Sequence, residues 1–396
     1  MPVRLGLIGC GGIARAHLRG YAAIKEKEPE LFDLVAVCDS DVTRAEAFAQ
    51  EAAKWQATPP RVYADYRAML EQEQLDAAEV CSPHYLHHTV GIACLDAGVH
   101  VQIEKPIGIT IRATQKLLEA QRRSGKILST AEQIRRQPGP RTAHWLIHEK
   151  KLLGDIQAVV VQRVQHRAPD PNAQWAWRAE KALGGGGLVL DSGAHFCDTM
   201  RYLFGEVESV FGRVAIFQQR LLHKGDQLVP DEREDTFFAT LNFANGITGL
   251  WTFSTGLAGY DFNNVAYYGT NGVIVDPGDV FHGPRLSAEV RLRDGSLKNL
   301  KVYFDEYRAE LGPEGTQRLF PHGFTDGFTL EIYDFLTAIR DGRPVEVDGE
   351  TGLRAKAISE AIYESALAGQ ALRVADVIAG RYDAYQRPID EQLGLV

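Results

Sequence analysis

The apolar run Arg4-Leu5-Gly6-Leu7-Ile8 passes directly into Gly9-Cys10-Gly11-Gly12-Ile13-Ala14 and then into a helical stretch beginning Arg15-Ala16-His17-Leu18. A strand, a GxGxxA loop and a helix in that order constrain the chain strongly. The first glycine makes a tight turn, the second lets backbone approach a pyrophosphate, and the last small residue lets the helix pack on the strand. The phosphate charge then falls at a helix N-terminus, where unpaired N–H groups and the helix dipole favour an anion. Gly9, Gly11, Gly12 and Ile13 are thus the expected contacts of a dinucleotide.

The next strand-like run, Leu34 to Cys38, ends in Asp39. A carboxylate there accepts hydrogen bonds from a ribose diol and repels a 2′-phosphate, so the expected cofactor is NAD rather than NADP. Asp41 adds negative charge nearby, whereas Arg44 offers a partner to a phosphate. Asp39 lies farther along than the motif's usual spacing of about 20 residues, because the charged stretch Lys25 to Glu30 lengthens the connection.

Through residue 131, strand runs (Arg4–Ile8, Leu34–Cys38, Ala77–Cys81, His100–Ile103) alternate with helical stretches (Thr43–Trp55, His88–Ala97), the pattern of βαβ units around a parallel sheet. After that the texture changes. A β-type run at Ile156–Val164 and a glycine tract precede a helix and a series of strands, with Asn245-Gly246, Asn271-Gly272 and Asp294-Gly295 between them. Paired residues of positive φ at these sites predict hairpins and an antiparallel sheet. Amphipathic helices follow at Thr325–Ile339 and Thr351–Ala368. The expected division is an α/β domain over residues 1–131 and an α+β domain over 132–396, in keeping with a chain of 396 residues at about 150 residues per domain.

A formal charge of −9 lacks the basic footprint of a nucleic-acid or anionic-membrane partner. The chain opens on a strand, with no secretory pattern, and no window is apolar enough to span a bilayer. Cys10, Cys38, Cys81, Cys94 and Cys197 are odd in number and form no CxxC pair, which predicts a reducing, cytoplasmic setting. His144 with His148, and His84 with His87 and His88, have no partner at metal-ligand spacing, so no metal is expected.

The run His100-Val101-Gln102-Ile103 ends in Glu104-Lys105-Pro106, putting a lysine at the carboxyl end of a parallel strand, the edge where such sheets bind ligands. A lysine there can donate to a substrate oxygen. Farther on, if Asp191 opens a helix, Asp191 and His195 share one face four residues apart, a carboxylate beside an imidazole able to move a proton. The alternative is an N-cap aspartate and a core histidine. Trp177 and Arg178 precede the glycine tract, where an aromatic face and a guanidinium suit a pyranose, although tryptophan is equally common as packing.

Together, the GxGxxA loop, Asp39, Ser82-Pro83 with His87, Glu104-Lys105-Pro106 and the later GGG-x-x-x-D-x-G-x-H-x-x-D ending at Asp198 resemble the glucose-fructose oxidoreductase/inositol dehydrogenase (Gfo/Idh/MocA) family. The likeness continues in Glu331–Phe335 and Ala361–Ser365; Glu132–Arg136 is similar to an E-N-Y-R-R stretch of sugar-oxidising members, with Gln133 and Ile134 in place of Asn and Tyr. The resemblance implies a doubly wound Rossmann domain followed by an α+β domain whose large open, mostly antiparallel sheet forms homodimers or homotetramers, with the active site between the domains. It implies that Ser82, Pro83, His87 and Glu104 border the cofactor and that Trp177 and Arg178 face the substrate. Lys105 would hydrogen-bond the reacting oxygen, His195 would take its proton, and Asp191 would hold substrate; family members differ over which of Lys105 and His195 is the main proton carrier. The implied activity is NAD-dependent oxidation of a secondary alcohol of a sugar, sugar derivative or cyclitol. Two alternatives stand beside it: a redox-neutral enzyme that retains NAD, cleaving a glycoside or exchanging hydride between sugars, and a cofactor-gated sugar sensor without turnover.

Overall fold

The computed structural model describes residues 1–276, 278 and 280–396. The chain divides into two compact units, Met1–Gln133 with Leu319–Leu353, and Ile134–Arg318 with Arg354–Val396.

The first unit is built on β1 (Val3–Ile8), β2 (Phe32–Cys38), β3 (Arg61–Tyr63), β4 (Ala77–Val80), β5 (His100–Glu104) and β6 (Leu128–Ala131), all parallel, in the order β3-β2-β1-β4-β5-β6. Helices α1 (Ala14–Lys27), α2 (Val42–Ala52), α3 (Tyr66–Gln72), α4 (His87–Asp96) and α5 (Ile111–Ser124) connect them. Only Arg4 of β1 is exposed, as expected of a strand covered on both faces. Strand order reverses between β1 and β4, and a crevice at such a switch point is where open α/β sheets bind ligands. The short β3 and α3 carry too little periodicity to stand out in sequence.

A helix from much later in the chain, Gly327–Asp341, completes this unit. Asp326 caps it by accepting from Thr329 N at 2.9 Å. Its Ile332, Phe335 and Leu336 belong to one buried cluster with Leu5, Leu7, Phe32 and Val37. Sequence pattern alone groups this helix with the α+β residues; its apolar face is instead buried with the first sheet.

The second unit carries a nine-stranded sheet. Its strands are β7 (Ile156–Val164), β8 (Val207–Ala215), β11 (Thr236–Phe243), β12 (Thr248–Ser254), β13 (Phe262–Gly269), β14 (Gly272–Val275), β15 (Glu289–Leu292), β16 (Leu297–Asn299) and β17 (Leu372–Arg373), in the order β16-β15-β14-β13-β7-β12-β11-β8-β17. Among the described residues of this sheet only β7 and β12 pair in parallel, and β9 (Leu221–Lys224) with β10 (Gln227–Pro230) forms a separate hairpin. Alternation along these strands buries Phe237, Ala239, Leu241 and Trp251 on one face and leaves Phe211, Phe238 and Leu250 exposed. Trp251 stacks on Phe196 of the helix Gly193–Phe204 at 4.0 Å.

Reversals occur at all three Asx-Gly pairs, but not with two positive-φ residues each. Gly246 and Gly295 take φ of 89°, while Asn245, Asn271 and Asp294 keep negative φ. The Asx side chains explain this: Asp294 accepts from Ser296 N and Asn245 from Ile247 N, forming Asx turns that need no left-handed residue at the first position.

Phe335→Ala removes a fully buried ring from the first core, and chemical denaturation is expected to show about 3–5 kcal/mol of lost stability. A change below about 1 kcal/mol would mean that the helix merely leans on the sheet.

Candidate active site

The carboxyl ends of β1, β2, β4 and β5 present the residues that the sequence singled out. Gly9 follows β1 with φ of 96°, and a Cβ there would meet the Cys81 carbonyl at 2.6 Å. Only glycine satisfies both the conformation and the close approach. A Cβ on Gly11 or Gly12 would meet nothing within 4 Å, so the loop leaves space above its backbone. Ile13 provides no side-chain cap for α1, leaving that helix end to an external acceptor. Asp39, partly exposed after β2, accepts from Cys10 N at 2.8 Å and Asp41 N at 2.9 Å. It therefore fastens the glycine loop as well as offering its carboxylate. Open loop, uncapped helix and flanking carboxylate together fit a dinucleotide.

After β4 come Ser82 and Pro83, both half-buried. His87 lies fully buried beneath them, its Nδ1 2.8 Å from the Pro106 carbonyl and its Nε2 2.8 Å from that of Ser82. Burial lowers its pKa, opposed by the hydrogen bonding to those two carbonyls. The ring thus ties together the loops after β4 and β5. Glu104 ends β5, 4% exposed, with its carboxylate against His17 of α1. Lys105 follows, half-buried.

In the second unit, Asp191 does not open the helix. That helix begins at Gly193 with Ser192 as N-cap, and residues 188–192 form a turn. Glu234 holds this turn: its carboxylate accepts Gly187 N and Val189 N at 2.8 Å each and the Tyr363 hydroxyl at 2.9 Å. These bonds commit the turn's N–H groups before the helix starts. A Cβ on Gly187 would lie 2.5 Å from Glu234 Oε2, so the glycine lets this carboxylate close on the turn. Burial pushes the Glu234 carboxyl up, opposed by the donors it accepts.

Asp191 instead pairs with Arg178 Nε at 3.1 Å, and the Arg178 guanidinium lies 4.2 Å over the Trp177 ring. The structure thus joins three residues that sequence placed in two motifs. His195, 5% exposed, has its ring 5.4 Å from that of His282. Asp198 is wholly buried on Arg135, which donates through Nε at 2.6 Å and also through Nη2. Sequence reasoning missed His17, Glu234 and His282. Glu234 hides in the charged run Asp231–Asp235, which reads as a solvated loop, and neither histidine falls at a recognisable ligand spacing.

The family model for an NAD-binding Rossmann fold of the Gfo/Idh/MocA oxidoreductases matches residues 3–132, and the model for that family's C-terminal alpha/beta domain matches residues 146–375. The chain belongs to the Gfo/Idh/MocA oxidoreductase family. Its first domain is accordingly an NAD-binding Rossmann fold. Among the family's members, the chain is 26% identical over 387 residues to levoglucosan dehydrogenase of Pseudarthrobacter phenanthrenivorans, covering 92% of this chain and 96% of that one. It is 25% identical over 380 residues to myo-inositol 2-dehydrogenase of Thermotoga maritima, covering 95% and 100%. A levoglucosan dehydrogenase structure in complex with NADH and levoglucosan shares the fold at a TM-score of 0.76, with 24% identity over 94% of this chain and 100% of that one. Among the described residues, no helix is long and apolar enough to cross a membrane.

Glu234→Ala would strand the Val189 N–H and the Tyr363 hydroxyl proton in a buried site and leave Gly187 N only the Tyr363 oxygen at 3.1 Å. Denaturation should register roughly 3 kcal/mol of lost stability, and an unchanged midpoint would show that the turn holds without it.

Proposed function

We propose that this NAD-binding oxidoreductase oxidises a secondary alcohol of a sugar, sugar derivative or cyclitol, reversibly, with Lys105 and His195 serving the reacting oxygen. The reading is carried chiefly by the position of Lys105. It stands at the carboxyl end of β5, on the sheet edge that also presents the open glycine loop and Asp39. The dehydrogenases of levoglucosan and myo-inositol that the chain resembles support the substrate class, as does a D-glucoside 3-dehydrogenase of Escherichia coli that is 29% identical over 287 residues.

On this reading NAD, when bound, supplies the hydride acceptor. Gly11, Gly12 and Ile13 would hold its pyrophosphate and Asp39 its ribose diol, and Ser82 and Pro83 would border it. His87 and Glu104 act from beneath, fixing the loops that carry Ser82 and Lys105. Lys105 donates a hydrogen bond to the substrate hydroxyl oxygen, and His195 takes that hydroxyl's proton as the hydride leaves carbon. Lys105 then stabilises the carbonyl oxygen formed. Asp191 accepts from a neighbouring hydroxyl, with Arg178 restraining it, while Trp177 offers an aromatic face to the ring.

The exposed Phe211, Phe238 and Leu250 on the open sheet face support assembly as a homodimer or homotetramer through that sheet. Cys10, Cys38, Cys81, Cys94 and Cys197 are free and buried, which supports a cytoplasmic enzyme.

With a sugar or inositol that reduces NAD⁺, Lys105→Ala is expected to slow single-turnover hydride transfer by about 10²–10⁴-fold; a rate near wild type would sink the assignment. Asp39→Ala should erode the preference for NAD⁺ over NADP⁺, read as the ratio of kcat/KM values. An unchanged ratio would remove Asp39 from cofactor choice.

A further inference from the structure

We propose that His17 is a positioning residue for Lys105, its ring bridging Glu79 and Glu104 so that the Glu104 carboxylate holds the backbone of Lys105 in place. The inference rests on the role given above to Lys105 and extends it to a residue of α1.

His17 is completely buried. Its Nδ1 lies 2.7 Å from Glu79 Oε1 of β4 and its Nε2 2.8 Å from Glu104 Oε1 of β5. Glu331, from the helix Gly327–Asp341, brings Oε1 to 3.9 Å from Nε2, and the Phe328 ring meets the imidazole edge-on at 5.3 Å. The other oxygen of Glu104 accepts the backbone N–H of Lys105 at 3.1 Å. One continuous chain of hydrogen bonds thus runs from the helix that follows the glycine loop, through His17 and Glu104, to the backbone of Lys105.

Ionised carboxylates only accept, whereas a neutral imidazole donates through one nitrogen alone. An imidazolium donates through both, which is what carboxylates on either side require. Burial by itself would depress the His17 pKa, but the charge of Glu79 and the hydrogen bonds to Glu104 and Glu79 carry it well above its ordinary value. The groups facing it are Glu79, Glu104 and Glu331, and removing the ring leaves the Glu79 and Glu104 oxygens without the donor that bridges them in a buried site. Glu104 is covalently adjacent to Lys105 and also accepts its N–H, and its displacement therefore moves the lysine. A misplacement of about 1 Å at a reacting group costs about 10²-fold in rate.

The test is a cycle of wild type, His17→Gln, Lys105→Ala and the double variant, with NAD⁺ and a substrate sugar or inositol that the wild type turns over. The readouts are kcat, KM for each substrate, NADH affinity by fluorescence, and Tm. His17→Gln is expected to lower kcat about 10- to 100-fold with KM for NAD⁺ little changed, and to cause no further loss once Lys105 is alanine. If His17→Gln does not fold, Glu104→Gln takes its place. It keeps the shape but removes the charge, and the same pattern is expected. A lowered Tm with wild-type kcat, or full additivity with Lys105→Ala, would make His17 merely structural and overturn the inference. A Lys105→Ala enzyme as fast as wild type would instead overturn the reading beneath it, so the two failures are distinguishable.

Discussion

At the junction of β1 and β4 the backbone of Gly9 runs so close to the Cys81 carbonyl that a single added carbon would overlap it. That approach fixes the first glycine turn against the strand on the far side of the switch point. From it follow the entry of α1, the open space over Gly11 and Gly12, and the place of Ser82 and Pro83 at the same edge. Asp39 reinforces the turn from the other side by taking the Cys10 N–H. The loop geometry is thus held by backbone contacts and one carboxylate, which take the N–H groups of Gly9 and Cys10 and leave the space over Gly11 and Gly12 open.

Both units solve a second problem in the same way, that of setting a loop with a buried carboxylate. Glu104 holds the start of the Lys105 loop, and Glu234 holds the turn that precedes the His195 helix. A buried carboxylate is costly unless donors surround it, and each of these is met by N–H groups or a partner side chain. Arg135 does the same for Asp198, donating through two nitrogens. Such groups set orientation sharply, because losing one partner leaves an unpaired group without access to water.

The parts legible in sequence are those with a local cause. The glycine loop, the strand ending in Asp39, Lys105 at the end of β5 and the run of β7 all follow from short-range pattern and turn chemistry. The placement of the helix Gly327–Asp341 with the first core has no local signature, since its Ile332, Phe335 and Leu336 only state that some core must receive them. Asp191 shows the same limit. Four-residue spacing to His195 suggests one helical face, but Asp191 lies in a turn before the helix, held by Glu234, which is distant in sequence and disguised in a charged run. Asp191 consequently meets Arg178, a pairing that no spacing rule announces. The hairpins were legible as reversals, while their backbone conformations depended on Asx side-chain bonds.

Net hydride transfer from a ring hydroxyl to NAD, with release of the reduced cofactor, separates the proposed dehydrogenase from its redox-neutral and non-catalytic alternatives. The most direct measurement is NADH absorbance over time, with purified protein, excess NAD⁺ and a panel of anhydrosugars, glycosides, sugar acids and inositols. A dehydrogenase that releases its cofactor is expected to accumulate NADH to many times the enzyme concentration with one substrate class. A rise that stops at one equivalent of enzyme would contradict it in favour of retained cofactor and redox-neutral chemistry, and no rise with any substrate would leave a sugar-responsive binder in its place.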